Sequence, residues 1–205
     1  MNSIHPTFPG TVLLPIDADL PVSSSTRQII SLSGRWQLTA DKSTDTVSVQ
    51  VPGVWQNQGL GMDFHGTATY TKKFPQPKIK NGSRAWLHFE NIATYAEVKL
   101  NGDLIATHLG AWTPFECDIT SSLKPDNILE VKVSELPNHF TFGFIHFVSA
   151  KFGGIWGDAW MELRPESFIN DVYVTSNISS GTVRANLEIY NFPPVANDGA
   201  IEVRI

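Results

Sequence analysis

The sequence predicts an all-β protein built as a β-sandwich. The dominant hydrophobic period along the 205 residues is two, and no window holds a 3.6-residue period beyond one turn near Thr120 to Lys124. Turn-forming residues separate the alternating segments at short intervals, as Asn101-Gly102-Asp103 does for one predicted hairpin. Many half-apolar strands bury their apolar faces most economically in a sandwich or jelly roll.

Two segments carry the clearest alternation. Asn127 to Ser134 places Leu129, Val131 and Val133 on one face, and Thr182 to Asn191 alternates in the same way. This pattern is typical of antiparallel strands that have one buried face. The shorter predicted strands are Arg35 to Thr39, Tyr70 to Phe74, Arg84 to Phe89, Ala96 to Leu100, Leu104 to His108, Thr113 to Asp118, Trp160 to Arg164, Val172 to Ser176 and Ala200 to Ile205.

A domain boundary is predicted at Pro165-Glu166-Ser167. The following segment, Phe168 to Ile205, contains about three alternating runs, and the last of these continues to the final residue. Natural termini rarely interrupt a strand, so we expect a jelly roll over residues 1–165 and a truncated second domain over residues 166–205. The apolar face of such a fragment predicts a homodimer, or a higher oligomer, through these strands, with domain swapping and docking onto the jelly roll as alternatives.

Charge and composition exclude several classes of function. Fifteen Lys and Arg against twenty Asp and Glu give a net charge of −5 without a basic block, so a nucleic-acid partner is not expected. No apolar stretch is long enough to span a membrane, and no phosphate loop or metal-ligand spacing predicts a cofactor. The single cysteine, Cys117, is expected to be a buried, inert thiol, and cytoplasmic and exported locations both remain open.

Several short motifs follow one another in the order of a known domain. Leu32-Ser33-Gly34-Arg35-Trp36 and Val51-Pro52-Gly53-Val54-Trp55 come first, Asn101-Gly102 lies in the middle, and Gly153-Gly154-Ile155-Trp156 precedes the predicted closing strand. In these motifs the chain resembles the sugar-binding-like jelly roll that begins family 2 glycoside hydrolases, the β-galactosidase, β-glucuronidase and β-mannosidase group. Phe168 to Ile205 resembles the start of the immunoglobulin-like domain that follows in that family.

The resemblance implies a non-catalytic, carbohydrate-binding-like region of a retaining β-glycoside hydrolase. Family 2 enzymes carry both catalytic carboxylates, about 5 Å apart, on a TIM barrel after the immunoglobulin-like domain. This chain lacks a repeating strand and helix pattern, so we expect no catalytic residue in it and no hydrolysis by the chain alone. The implied partners are the catalytic barrel and its β-glycoside substrate. A free-standing lectin-like jelly roll and a purely structural interaction domain are the alternatives.

The acidic residues are interpreted as surface or turn residues. Asp118 is expected to cap the turn that follows it. Outward, solvated strand positions are predicted for Glu97, Glu130, Glu162, Glu188 and Glu202.

Two regions are candidates for contact with a sugar. In the galactosidases that the chain resembles, the loop before the Tyr70-like residue sends an Asn toward the sugar. The corresponding loop here contains Asp63 and His65, and a His can donate to a sugar hydroxyl as an Asn does. Those galactosidases also hold a sodium ion through an acid about six residues before the Gly153-like position, where this chain has Val148, so no metal site is expected.

The second region is Pro137 to Trp160, which holds seven aromatic residues in 24 positions. Phe142, Phe144 and Trp160 are expected in core strands. The remainder is interpreted as a loop that either seals an interface with the absent barrel or stacks on a sugar face. His146 and Trp156 are the candidate substrate contacts in this loop.

Overall fold

The computed structural model describes residues 23–24, 26–61, 63–135 and 152–191. Within these ranges the chain forms fourteen β-strands and two short 3-10 segments, and none of its helical segments has the length and hydropathy to cross a membrane. The all-β prediction is confirmed. The strands are β1 (Gln28–Ser31), β2 (Gly34–Ala40), β3 (Thr46–Val51), β4 (Thr67–Pro75), β5 (Ser83–Phe89), β6 (Ile92–Ala93), β7 (Tyr95–Leu100), β8 (Asp103–Leu109), β9 (Phe115–Asp118), β10 (Asp126–Ser134), β11 (Gly154–Ile155), β12 (Ala159–Pro165), β13 (Phe168–Asn177) and β14 (Thr182–Tyr190).

Two antiparallel sheets face each other across one core. The first has the strand order β1-β12-β5-β9, and the second has the order β3-β2-β4-β10-β7-β8. A two-stranded sheet is formed by β11 and β6, each of which lies in the chain between a strand of the first sheet and a strand of the second. Among the described strands, β13 pairs with β14 alone. The predicted sandwich is therefore the observed architecture.

Apolar residues at alternate positions along the strands fill this core. Leu129, Val131 and Val133 of β10 are fully buried, as the period-two pattern predicted. They pack with inward residues of the opposite sheet, including Leu87 and Met161, in a single hydrophobic cluster. Burial of large side chains is the main stabilising contribution in such a sandwich. Trp36, Trp55, Tyr70 and Phe89 are the largest fully buried side chains.

The predicted hairpin at Asn101-Gly102 joins β7 to β8. Both residues have positive φ, 56° at Asn101 and 92° at Gly102, as a two-residue turn with matching twist requires. The Asn101 side chain also fixes a neighbouring connection, because its Nδ2 donates to Ser122 O at 2.8 Å and its Oδ1 accepts from Ile128 N at 2.9 Å.

The observed strands agree with the predicted ones to within a few residues, and four of the described strands were not predicted. Two of these are the two-residue strands β6 and β11. The others are β1, which has adjacent isoleucines and no alternation, and β3, which carries Val47, Val49 and Val51. The predicted strand Ala200 to Ile205 and the predicted core residues Phe142 and Phe144 lie outside the described residues.

On the outer face of the first sheet, the predicted solvent exposure of Glu162 is wrong. Glu162 does point away from the sandwich core, but it is buried rather than solvated. Arg27 Nη1 lies 3.1 Å from its Oε1, and His88 Nε2 lies 3.3 Å from its Oε2. Burial alone would raise the pKa of Glu162, yet the hydrogen bond from His88 and the charges of Arg164 and Arg27 lower it overall. Glu130 and Glu97 are half-buried and Glu188 is exposed.

Asp118 closes β9 and caps the turn after it, as predicted. Its Oδ1 accepts from the backbone N of Thr120 at 2.9 Å and from the Thr120 hydroxyl at 2.6 Å. Arg84 Nε donates to its Oδ2 at 2.5 Å. Burial acts to raise the pKa of Asp118, but these hydrogen bonds and the Arg84 charge outweigh it and lower that pKa.

The hairpin of β13 and β14 is attached to the outer face of the first sheet through an aromatic and cationic stack. The Arg164 guanidinium lies 4.2 Å from the ring centre of Trp86 and 4.0 Å from that of Phe168. Tyr190 meets Trp86 edge to face, with ring centres 5.3 Å apart. Arg27 adds a hydrogen bond from Nη2 to Ile169 O at 2.9 Å.

Candidate functional site

The candidate site lies at one end of the sandwich, where four strands of the second sheet begin or finish together. The register sets Thr67, Ser134, Tyr95 and Leu109 side by side at the ends of β4, β10, β7 and β8. The loop before β4, the residue after β10 and the loop after β8 therefore converge here. We call this region the rim.

A buried carboxylate holds His65 at the rim. Glu135 directly follows β10, its side chain is 4% exposed, and its Oε2 lies 2.9 Å from His65 Nδ1. The backbone N of Glu135 donates to Gly66 O at 2.9 Å, so the loop and the end of the strand are also joined through the main chain. Because the pair meets through Nδ1, the other ring nitrogen, Nε2, is turned away from Glu135. The His65 side chain is 41% exposed.

Gln56 connects this pair to the segment Phe152–Trp156. Its Nε2 lies 3.5 Å from Glu135 Oε1, and its Oε1 accepts from the backbone N of Gly153 at 3.3 Å. The neighbouring Trp55 is fully buried, and its backbone N donates to Gly153 O at 3.0 Å. The indole of Trp55 meets Phe64 edge to face at 5.3 Å. The loop that carries His65 is thus packed from both sides.

Three aromatic rings form a second feature of the rim. Trp112, in the loop after β8, meets Trp156 edge to face with ring centres 4.7 Å apart, and Phe152 lies 6.1 Å from Trp112 and 5.6 Å from Trp156. Trp156 Nε1 donates to Ala111 O at 3.0 Å, which fixes the two loops to each other. Trp112 remains 50% exposed, so this aromatic cluster offers one ring to the surroundings.

Of the four residues predicted to contact a sugar, three fall within the described residues. Asp63 is exposed in the loop that carries His65, while Trp156 is half-buried in the aromatic cluster. The backbone of Gly153 forms hydrogen bonds with Gln56 and Trp55, and it thereby joins the His65 loop to the segment that contains Trp156. His146 and Val148 lie outside the described residues.

Sequence reasoning missed Glu135 and Trp112. Glu135 stands just past a predicted strand, and nothing in its neighbourhood signals a partner 70 positions earlier in the chain. Trp112 follows the Gly110 turn, where an exposed aromatic residue between a turn glycine and Thr113-Pro114 was a usable signal.

A second cluster of charges, on the outer face of the first sheet, has the electrostatics of a structural network. His88 Nε2 lies between Glu116 Oε2 at 3.1 Å and Glu162 Oε2 at 3.3 Å, and its ring stacks on Trp160. Arg164 Nη2 donates to Glu116 Oε1 at 2.6 Å. A general acid of a glycosidase needs a raised carboxyl pKa, whereas the hydrogen bond from His88 and the charges of Arg164 and Arg27 lower the pKa of Glu162. The described residues contain no group of three or more His, Cys, Asp or Glu placed to hold a metal ion.

Two antiparallel sheets that face each other across one core place this chain in the class of β-sandwich domains. Comparison with known proteins defines it further. Residues 62–140 match the family model described as the glycosyl hydrolase 2 galactose-binding domain-like family. Over this range the chain is similar to the galactose-binding-like domain of family 2 glycosyl hydrolases.

Individual relatives are named as enzymes of the same kind. The chain is similar to a β-galactosidase of Thermoanaerobacter pseudethanolicus, with 31% identity over 63% of this chain and 19% of the relative. It is also similar to a β-glucuronidase of Paenibacillus borealis, with 29% identity over 58% of this chain and 23% of the relative. The chain thus spans about a fifth of the length of these curated relatives.

The fold itself is found in a solved structure. The β-D-glucuronidase structure from Dictyoglomus thermophilum superposes with a TM-score of 0.72 and 23% identity, over 83% of this chain and 34% of that one. This likeness shows the fold of the sandwich.

Proposed function

We propose that this chain serves a retaining β-glycoside hydrolase by packing against a catalytic barrel and supplying side chains to the edge of its substrate site. The observation that carries the proposal is the rim, where the buried Glu135 holds His65 and where Trp112 exposes half of its ring. A buried carboxylate committed to orienting a half-exposed histidine is typical of a binding surface, since burial of an acid costs free energy. The names of the relatives, β-galactosidase and β-glucuronidase, support a β-glycoside as the substrate.

Within this proposal the four candidate residues have different roles. His65 forms a hydrogen bond with a sugar hydroxyl through Nε2, and Asp63 of the same loop approaches the sugar or its aglycone. The indole N–H of Trp156 already donates to Ala111 O, so Trp156 contributes ring surface and not a hydrogen bond. His146 completes the set from the segment outside the described residues.

The aromatic cluster is proposed as the contact with the barrel. Trp112 is large, half-exposed and supported edge to face by Trp156, which is the arrangement of an anchor residue at a protein interface. Direct stacking on a sugar is the alternative use of the same ring. In that case the chain is a free-standing lectin-like glycan-binding module, and the half-exposed face of Trp112 is the observation that favours it.

The domain organisation is part of the proposal. We place a jelly roll over residues 1–165 and the beginning of an immunoglobulin-like domain over residues 166–205. The separate two-stranded sheet of β13 and β14 supports this division. Its register puts Val172 and Val174 on one face, and both are exposed together with Val183. We propose that two copies of this chain associate through this apolar face.

The test compares this chain with the complete product of the gene that encodes it. Both are assayed with nitrophenyl β-glucuronide, β-galactoside and β-mannoside. We expect turnover only by the complete product, because in this proposal the pair of carboxylates that retaining hydrolysis needs lies on the barrel. His65→Ala in the complete product is expected to raise KM with little change in kcat, and Glu130→Gln, on β10 outside the rim, is the matched control. Turnover by repurified chain alone, or a complete product without glycosidase activity, contradicts the proposal.

Two further measurements separate the alternatives. Calorimetry of this chain with the free sugars should show at most millimolar affinity, about −4 kcal/mol, if Trp112 contacts the barrel. Micromolar binding that Trp112→Ala abolishes would favour the lectin instead. Sedimentation equilibrium should show dimers that Val174→Lys dissociates, and a monomeric wild-type chain would contradict association through this face.

A further inference from the structure

We propose that Glu135 is a positioning residue that sets the protonation pattern of the His65 ring and thereby offers the ring's Nε2 to the sugar. This inference rests on the proposed function, since it explains how the proposed sugar contact is oriented. It concerns a residue that belongs to no motif of the sequence and that lies 70 positions from its partner.

The first step is the geometry of the pair. Glu135 Oε2 lies 2.9 Å from Nδ1, and the Glu135 side chain is 4% exposed. Its other oxygen lies 3.5 Å from Gln56 Nε2, so the carboxylate is held on both sides. The backbone bond from Glu135 N to Gly66 O fixes the distance between the loop and the strand end. The carboxylate therefore cannot rotate away without breaking the packing of the rim.

The second step is the chemistry of the ring. A neutral imidazole carries one N–H, and a neighbouring acceptor decides which nitrogen carries it. Glu135 accepts at Nδ1, so Nδ1 bears the hydrogen and Nε2 keeps its lone pair. Free histidine favours the opposite tautomer in water, and the Nδ1–H form is therefore a specific signature of this contact. In the neutral ring Nε2 accepts from a sugar hydroxyl, and in the protonated ring it donates to one.

His108 provides an internal comparison on the same chain. Its Nε2 is the nitrogen engaged by a neighbour, with Thr113 Oγ1 at 3.2 Å, and its ring stacks on Phe115. The inference thus predicts a basic, accessible Nε2 at His65 and an occupied Nε2 at His108. A difference between two histidines of one sample is insensitive to protein concentration and buffer.

The experiment measures ring nitrogen shifts by two-bond proton–nitrogen correlation on the whole chain at pH 8. We expect the Nδ1–H tautomer at His65. Glu135→Gln should shift the ring toward the Nε2–H tautomer, because a neutral amide no longer selects Nδ1–H, whereas the control Glu130→Gln should leave it unchanged. Thermal unfolding of each variant checks that the fold persists. The wild-type tautomer decides the matter even if Glu135→Gln fails to fold.

A chemical readout accompanies the spectra. Diethyl pyrocarbonate acylates an imidazole nitrogen that has a free lone pair, and mass spectrometry of peptides reports the rate at each histidine. We expect His65 to react several times faster than His108, and Glu135→Gln to reduce that ratio. An Nε2–H tautomer at wild-type His65, or reaction at His65 no faster than at His108, overturns the inference. Neither outcome depends on glycosidase activity, so failure here is distinguishable from failure of the proposed function.

Discussion

Gly153→Ala tests whether the rim depends on the contact between Gly153 and Trp55. The backbone of Gly153 does not have a positive φ, so alanine is compatible with its conformation. A Cβ at this position would, however, fall on the Trp55 indole carbons Cζ2 and Cε2 and lie 2.9 Å from Cη2, where ordinary contact begins near 3.4 Å. The indole cannot move aside because it is fully buried and packed against Phe64.

The expected cost follows from this overlap. Inserting a methyl group into a well-packed core costs typically about 1–3 kcal/mol, and a clash with a rigid buried ring lies at the upper end of that range. We therefore expect Gly153→Ala to lower the free energy of unfolding by about 3 kcal/mol. With a urea m value of about 2 kcal/mol/M, the midpoint of unfolding falls by about 1.5 M.

A double-mutant cycle with Trp55→Phe isolates the contact. Phenylalanine removes part of the ring that the new methyl group would meet, so the double variant should lose at least about 1 kcal/mol less than the sum of the two single losses. Urea unfolding followed by tryptophan fluorescence and by far-ultraviolet circular dichroism measures all four proteins. Additive losses, or a Gly153→Ala midpoint within about 0.2 M of the wild-type value, would refute the reasoning.

Three other predictions concern the rest of the sandwich. Arg164→Met should lower the free energy of unfolding by about 3 kcal/mol, because it leaves Glu116 and the buried Glu162 without the cation that they share. Urea unfolding measures this change, and an unchanged midpoint would count against the prediction. The pKa values of Asp118 and Glu162 are lower in the folded chain than in the unfolded chain, so on acidification the unfolded chain binds protons at these groups first. Their stabilising contribution is complete at neutral pH and is lost as the pH falls below about 4.5. Asp118→Asn should flatten the acid side of the stability profile measured by urea unfolding between pH 6 and 3, and an unchanged slope would contradict this. Burial raises the pKa of Cys117 to about 12, with smaller contributions from Asp118 and Glu116, so iodoacetamide at pH 8 should label it only after unfolding, as intact mass spectrometry would show.

The strand pattern was predictable because each face of the sandwich repeats every second residue. β10 and β7 alternate cleanly, and the inward residues of β10 were identified before their partners were known. β1 escaped prediction because Ile29 and Ile30 are adjacent, and β1 is a strand chiefly through its pairing with β12. Local periodicity identifies a strand that has one buried face, but it does not identify a strand that forms chiefly by pairing with a neighbouring strand.

The site was predictable only in part, for the same reason. The loop containing His65 was found through its position before Tyr70, but Glu135 is brought to it by the register between β4 and β10.

The prediction for Glu162 was right about its outward direction and wrong about its exposure to solvent. Outward in a sandwich means away from the core, and here the outward face carries Arg164, Trp86 and the attached Phe168.

The stack of Trp86, Arg164 and Phe168 has a mechanical consequence. Only Glu166 and Ser167 separate β12 from β13, and the backbone N of Glu166 donates to Gly82 O at 2.8 Å. Arg27 also donates a hydrogen bond to Ile169 O, so the base of the hairpin is held by several contacts and cannot rotate freely against the sheet. The orientation of the hairpin relative to the four-stranded sheet is therefore set by contacts at its base, and the tip near Ile178 takes no part in them.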